Sequence, residues 1–160
     1  DHVLVAVRDL DAATRTTATL LGRRPSWRGE HPGEGTANTL FRIENTYLEL
    51  LAPNGSGPVA ALLEGWLGER GEGPLGLAFG TEDAEACATA LAPLDAGPVV
   101  KGLGRDVDSG AFREWRRVPI PLARTRGVLL FAIEHTSPPE SLPPAGLACE
   151  EQAAALALDH

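Results

Sequence analysis

Residues 3–7 alternate apolar and other side chains in a valine-rich run, the two-residue period of a strand with one buried face. A helical pattern follows over 12–21, with Asp9 or Asp11 placed to cap its start and Gly22 placed to end it. Three strands are predicted next, over 26–31, 37–44 and 47–51, the last two joined by the short step at 44–46. After the glycine- and proline-rich stretch 53–58 comes a connecting helix at 59–69. The order then repeats: a strand at 75–79, a helix at 83–94 capped by Thr81 or Asp83, and strands at 98–103, 112–120 and 128–134. The predicted class is therefore α+β. Paired βαβββ modules, about 1–53 and 75–137, are expected to form a curved mixed sheet around a cleft, with the helices outside. Residues 138–160 read as a linker at 138–144 and a tail with a short helix at 150–157. The closing Asp-His repeats Asp1-His2, so the tail reads equally as a trimmed end or as the start of a further module.

Successive side chains of a strand point to opposite faces. Taking Val3, Val5 and Val7 as core leaves His2 on the other face of the first strand. Taking Leu48 and Leu50 as core leaves Glu49 opposite. In the second half Leu75, Leu77 and Phe79 are expected to pack inward, with Gly76 opposite, and Leu129, Phe131 and Ile133 inward, with Glu134 opposite. One face thus collects His2, Glu49, Gly76 and Glu134. An imidazole and two carboxylates suit divalent zinc, iron, manganese, nickel or cobalt, with a position left open for water or substrate.

Composition narrows the partners. The chain has 160 residues, 43% of them hydrophobic, enough for one compact core, and a net charge of −8 that argues against nucleic acid or an anionic membrane as partner. Cys87 and Cys149 are too few for a disulfide framework and too far apart for a zinc knuckle. No apolar run approaches the roughly 20 residues of a membrane span, and no leader pattern precedes the first strand, so the expected setting is cytoplasmic.

The run DHVLVAVRDL from Asp1, the strand YLELL from Tyr47, GLAF from Gly76 and FAIEH from Phe131 together resemble the vicinal oxygen chelate superfamily, which includes glyoxalase I, extradiol dioxygenases and bleomycin-resistance proteins. The likeness covers roughly 1–137, and HPGEGTAN from His31 to Asn38 is similar to a glyoxalase-like subgroup within it. The resemblance implies metal ligands at His2, Glu49, Gly76 and Glu134. Gly76 offers no side-chain ligand, so the implied site is either three ligands with two waters or a cleft without metal, as in the bleomycin-resistance members. It also implies a small-molecule substrate and pairing of modules within one chain, in a homodimer, or with further modules of a longer chain.

Other residues fit such a cleft. Arg113, Trp115 and Arg117 share one parity, opposite Phe112, Val118 and Ile120, and suit an aromatic or anionic ligand or else a solvated strand edge. Asn38 and Arg42 fall opposite Phe41 and Ile43, as polar lining or an exposed face. His31, in a Pro-Gly loop, is either an acid–base group or a solvated side chain. His135 is expected to point away from Glu134. The Gly102-Leu-Gly104 step does not open a helix and predicts no nucleotide loop. The favoured expectation is metal-assisted lyase, isomerase or dioxygenase chemistry on a substrate with adjacent oxygens, with Glu49, Glu134 and His31 as catalytic groups. The alternatives are a metal-free protein that binds and sequesters a small molecule, and a degenerate, structural half of a longer protein.

Overall fold

The computed structural model describes residues 1–138 and 141. Its elements run β1 (His2–Ala6), α1 (Leu10–Leu21), β2 (Trp27–His31), β3 (Thr36–Arg42), β4 (Tyr47–Pro53), α2 (Pro58–Arg70), β5 (Gly73–Gly80), α3 (Ala84–Ala90), β6 (Val100–Asp106), β7 (Phe112–Ile120) and β8 (Leu129–His135), with a short 3-10 turn at Ala92–Leu94. Local chemistry sets the ends. Asp9 accepts a hydrogen bond from the Ala12 amide at 2.9 Å to start α1, and Asp83 accepts from Glu85 and Ala86 at 3.0 Å to start α3. α3 is shorter than expected, because Pro93 forces the chain into the 3-10 turn.

The eight strands close in the order β1-β4-β3-β2-β6-β7-β8-β5. The curved mixed sheet that was expected thus closes on itself as a barrel. β1 runs parallel to β4 and β5 parallel to β8, while β1 and β5 meet antiparallel. On the far side closure rests on two pairs, Gly29 with Asp106 and Glu30 with Arg105. An ion pair between the Glu30 and Arg105 side chains, 2.9 Å apart, supports the second.

Helices cover the outer faces of β3, β4, β7 and β8. On the outside, α1 packs on β3 and β4 through Val7, Phe41 and Leu50, with Thr14 hydrogen-bonded to Thr39 at 3.0 Å. α3 covers β7 and β8 through Ala84, Val118 and Ala132. The remaining helix corrects the expectation of an all-outside helical layer. α2 turns Leu63 and Leu67 onto inward-facing Leu4, Ala6, Leu51, Phe131 and Ile133, and so plugs one end of the interior. No helix covers the outer face of β5 among the described residues. Leu77 and Phe79, expected to pack inward, are there 39% and 53% exposed. No helix of the described residues is long and apolar enough to cross a membrane.

Leu63 is fully buried, whereas its neighbour Leu62 is exposed. Leu63→Ala is expected to cost about 2–5 kcal/mol in urea unfolding, and Leu62→Ala no more than about 0.5 kcal/mol. Equal losses would show that α2 does not seal the interior.

Candidate functional site

The inward positions of β1, β2, β3 and β4 gather a polar cluster in an otherwise apolar cavity. β1 and β4 pair in register, with Leu4 beside Glu49, so His2 and Glu49 lie one step apart on the same face. His2 Nε2 stands 3.2 Å from Glu49 Oε2. Asn38 Nδ2 donates to Glu49 Oε1 at 2.7 Å and lies 3.2 Å from His31 Nε2. The other ring nitrogen of His31 meets Thr36 Oγ1 at 2.8 Å. All of these residues are buried. With both Asn38 N–H groups so engaged, its Oδ1 is left buried without a partner.

The network continues through Asp1. His2 Nδ1 meets Asp1 Oδ1 at 2.7 Å, and His135 Nε2 meets Asp1 Oδ2 at 3.2 Å. His2 thus stands between two carboxylates, Asp1 on one ring nitrogen and Glu49 on the other. The opposite wall is apolar and aromatic: Trp115, Leu129, Phe131 and Ile133. Trp115 lies flat against β6 because Gly102 leaves room, a Cβ there coming within 2.1 Å of the indole nitrogen. That is the purpose of the Gly102-Leu-Gly104 step. Free space in the cavity is about 80 Å³, room for about two or three waters or a small acyl group.

Several expected residues arrive as read. His2, Asn38, Glu49, Arg113 and Trp115 line this cavity, and Arg42 lines a neighbouring one. His31 is no solvated loop residue. The tight turn after it, with the Glu34 amide bonded to the His31 carbonyl at 3.1 Å, makes it the last residue of β2, pointing inward.

Glu134 is the main correction. It faces outward, accepting from the Ala84 amide at 2.9 Å and from Arg116 at 3.2 Å, so it anchors the start of α3. Leu129, Phe131 and Ile133 take the inner face of β8, and His135 comes in with them. The strand registers show why. Leu4 pairs with Glu49 and, in the second quartet, Ala78 pairs with Phe131, so Phe131 holds the place that mirrors Glu49. Gly76, mirroring His2, admits no side chain: a Cβ would lie 1.9 Å from the Leu129 carbonyl oxygen. The implied metal site thus retains donors on one side only. Among the described residues no three His, Cys, Asp or Glu side chains are arranged to hold an ion, and the remaining pair does not fit a site needing three or more protein ligands.

Charge states follow from burial and neighbours. Burial alone would raise the Glu49 carboxyl, but the His2 hydrogen bond and charge, the His31 charge and the Asn38 hydrogen bond hold it down at about 2. Burial pushes His31 below 6.5 against the pull of Glu49 and Glu34, so it is neutral at pH 7. Burial, Arg113, His2 and Arg42 take His135 down to about 4. Burial, then Glu49, pushes the Tyr47 phenol upward. Sequence reasoning missed Asp1, Trp27, Glu34, Tyr47 and His135 as lining. Tyr47 was within reach, since it shares the parity of Glu49.

The family profile described as glyoxalase-like domain matches residues 1–158. An ethylmalonyl-CoA/methylmalonyl-CoA epimerase of Cereibacter sphaeroides is 37% identical over 65 residues, 40% of this chain and 48% of that protein. The match therefore spans about half the length of that relative. Methylmalonyl-CoA epimerase from Mycobacterium tuberculosis superposes with a TM-score of 0.67 at 25% identity, covering 88% of this chain and 89% of that one. A variant methylmalonyl-CoA epimerase of Streptomyces coelicolor, in complex with 2-nitronate-propionyl-CoA, gives 0.65 at 24% identity over 86% and 96%, and shares the fold.

Two measurements check this site. Gly76→His, which would restore a donor on paper, is expected to lose about 1–3 kcal/mol by overpacking without gaining bound nickel or zinc; a stable variant that binds the ion would show that β8 yields. Acid should destabilise the fold in two stages. His31 and His135 carry depressed folded-state values, so their contribution is complete above pH 6.5 and is lost as pH falls below it, for His135 toward about 4. The contribution of Glu49 is complete above 4.5 and is lost toward about 2, a separation corresponding to roughly 3 kcal/mol. Thermal melts across pH 2–8 should show both limbs, with His135→Asn flattening the upper one.

Proposed function

The chain belongs to the glyoxalase-like domain family of the vicinal oxygen chelate superfamily, and on that premise we propose that its cleft is an isomerase-type centre that moves a proton next to a carbonyl. The observation that carries this reading is the neutral, buried His31 with its Nε2 4.0 Å from the buried Glu49 carboxylate. The epimerase relatives favour isomerase over lyase or dioxygenase chemistry. The two quartets of strands are read as two copies of one module, of which the first keeps the imidazole–carboxylate pair His2 and Glu49.

His31 is the base. Its Nδ1 is directed at Thr36, which leaves the Nε2 lone pair toward Asn38 and the cavity. The substrate displaces the Asn38 contact and presents its C–H. Nε2 takes the proton and the electron pair passes into an enolate. The imidazolium formed is stabilised by Glu49, whose low pKa keeps it charged throughout. Asn38, relieved of His31, is the neutral N–H donor nearest the new enolate oxygen. Return of a proton from His31 to the same face gives exchange alone, and delivery of a proton to the opposite face of that carbon by a second donor, such as water, gives net isomerisation with no change in oxidation state. His2 and Asp1 hold the Glu49 carboxylate in place, so they position rather than react.

A second reading, binding without turnover, is favoured by one observation: both oxygens of Glu49 already have partners. The two readings separate by exchange of the C2 proton of methylmalonyl-CoA in D2O, followed by NMR after exhaustive chelation. Exchange above the buffer rate is expected, falling by about 10²–10⁴ in His31→Gln with a smaller change in KM. Ligand-induced tryptophan fluorescence change without any exchange would establish the second reading instead.

A further inference from the structure

Arg113 is the most deeply placed cation of β7, 6% exposed, and it faces inward. The other two arginines of that strand's middle have carboxylate partners: Arg116 pairs with Glu85 and Glu134, and Arg117 with Glu34. Arg113 has none among the described residues. Its guanidinium lies 5.2 Å above the Trp27 ring and bonds to Tyr47. Stacking on an indole offsets part of the cost of burial, yet a buried guanidinium without an anion remains destabilising. An anion supplied by the ligand removes that cost.

Position favours the same conclusion. A second cavity, about 180 Å³, opens at the end of the barrel opposite α2, lined by Asp1, Arg42, Asn45 and Thr46 among others. It shares Leu40, Tyr47, Arg113 and His135 with the inner cavity. These four form a collar between an outer chamber and the small one that holds His31 and Glu49. The two carboxylates of the outer chamber do not neutralise the collar. Asp1 is engaged by His2 and His135, and Glu44 is exposed on the loop. Burial first, and then Arg113, His2 and Arg42, depress the pKa of His135 at this collar.

We propose that Arg113 is the receptor for a carboxylate on the substrate, so that the cleft takes small carbonyl compounds bearing a carboxylate and admits them through the outer chamber. This deepens the isomerase reading and rests on it for the identity of the reacting carbonyl. A planar carboxylate matches the guanidinium fork in two parallel N–H···O bonds. Held at the collar, it leaves the neighbouring carbonyl and its C–H to enter the inner chamber, whose volume fits a group of that size and little more.

The test reads binding, not turnover, so it is decided independently of proton exchange. Trp27 and Trp115 line the cavity and report occupancy by fluorescence. The whole chain is titrated with monomethyl malonate, with the neutral dimethyl ester of the same shape, and with inorganic phosphate. The monoester is expected to bind at least tenfold tighter than the diester, and phosphate more weakly than the monoester. Arg113→Gln is expected to erase the preference, and Arg113→Lys to keep part of it. Equal binding of the two esters, no response to either, or an undiminished preference in Arg113→Gln would overturn the assignment. Phosphate binding tighter than the monoester would replace it with a general anion site. Should Arg113→Gln fail to fold, the ester comparison in the unmodified chain and in Arg113→Lys still decides. Loss of exchange in His31→Gln with the ester preference intact would separate the failure of one idea from that of the other.

Discussion

A carboxylate buried inside a β-barrel is tolerable only if fixed donors replace the water it has lost. Glu49, 7% exposed, meets that condition through His2 on one oxygen and Asn38 on the other. The rest of the site follows. Asn38, committed to Glu49, turns its second N–H toward His31; His2, facing two carboxylates, recruits Asp1; and Asp1 brings in His135. Five other side chains, Asp1 and residues of β1, β2, β3 and the end of β8, are linked to one buried charge.

Barrel closure sets the second constraint, because a strand that also carries a helix on its outside, as β3, β4, β7 and β8 do, has two apolar surroundings. Alternation in the sequence then shows that two faces differ without showing which one is inside. On β1 and β4 the polar residue marked the cavity, and His2 and Glu49 were legible. On β7 the run Arg113, Trp115, Arg117 was equally plain. On β8 both faces are apolar enough to pack, with Leu129, Phe131 and Ile133 inside and Leu130 and Ala132 outside. The heavier set was read as the helix-facing core, which sent Glu134 inward by mistake. The outcome was decided by α3, whose first amide needs the Glu134 carboxylate, and by the interior, which needs large side chains to fill it.

Other features lay beyond a one-dimensional reading for local reasons. The Pro-Gly turn after His31 is tight enough to keep that residue in the ladder, which composition alone does not show. Trp27 and Trp115 fold back over glycines of their own or neighbouring strands, so their place in the lining depends on Gly29 and Gly102, on the adjacent strands β2 and β6. The elements themselves were mostly readable, since their ends are marked by Asp9, Asp83 and the glycine-rich turns. The position of α2 was not. Its buried residues Ala60, Leu63 and Leu67 look like those of any surface helix until the barrel supplies an open end to be closed.

The two halves of the interior have opposite chemistry, and that asymmetry is what gives the cavity a direction. Where the first quartet offers His2 and Glu49, the second offers Gly76 and Phe131, with Leu129 and Ile133 beside them. A symmetric pair of polar halves would accept a ligand in either of two orientations. Here a small acyl group has one polar wall to react with and one apolar wall to rest against, so rotation about its long axis is penalised by burying polar atoms against Phe131. Arg113 stands at the junction of these walls and supplies a third, independent point of contact. Three unlike contacts are the minimum that fixes which face of a trigonal carbon meets His31. An asymmetric cleft of this kind can therefore impose stereochemistry with side chains alone.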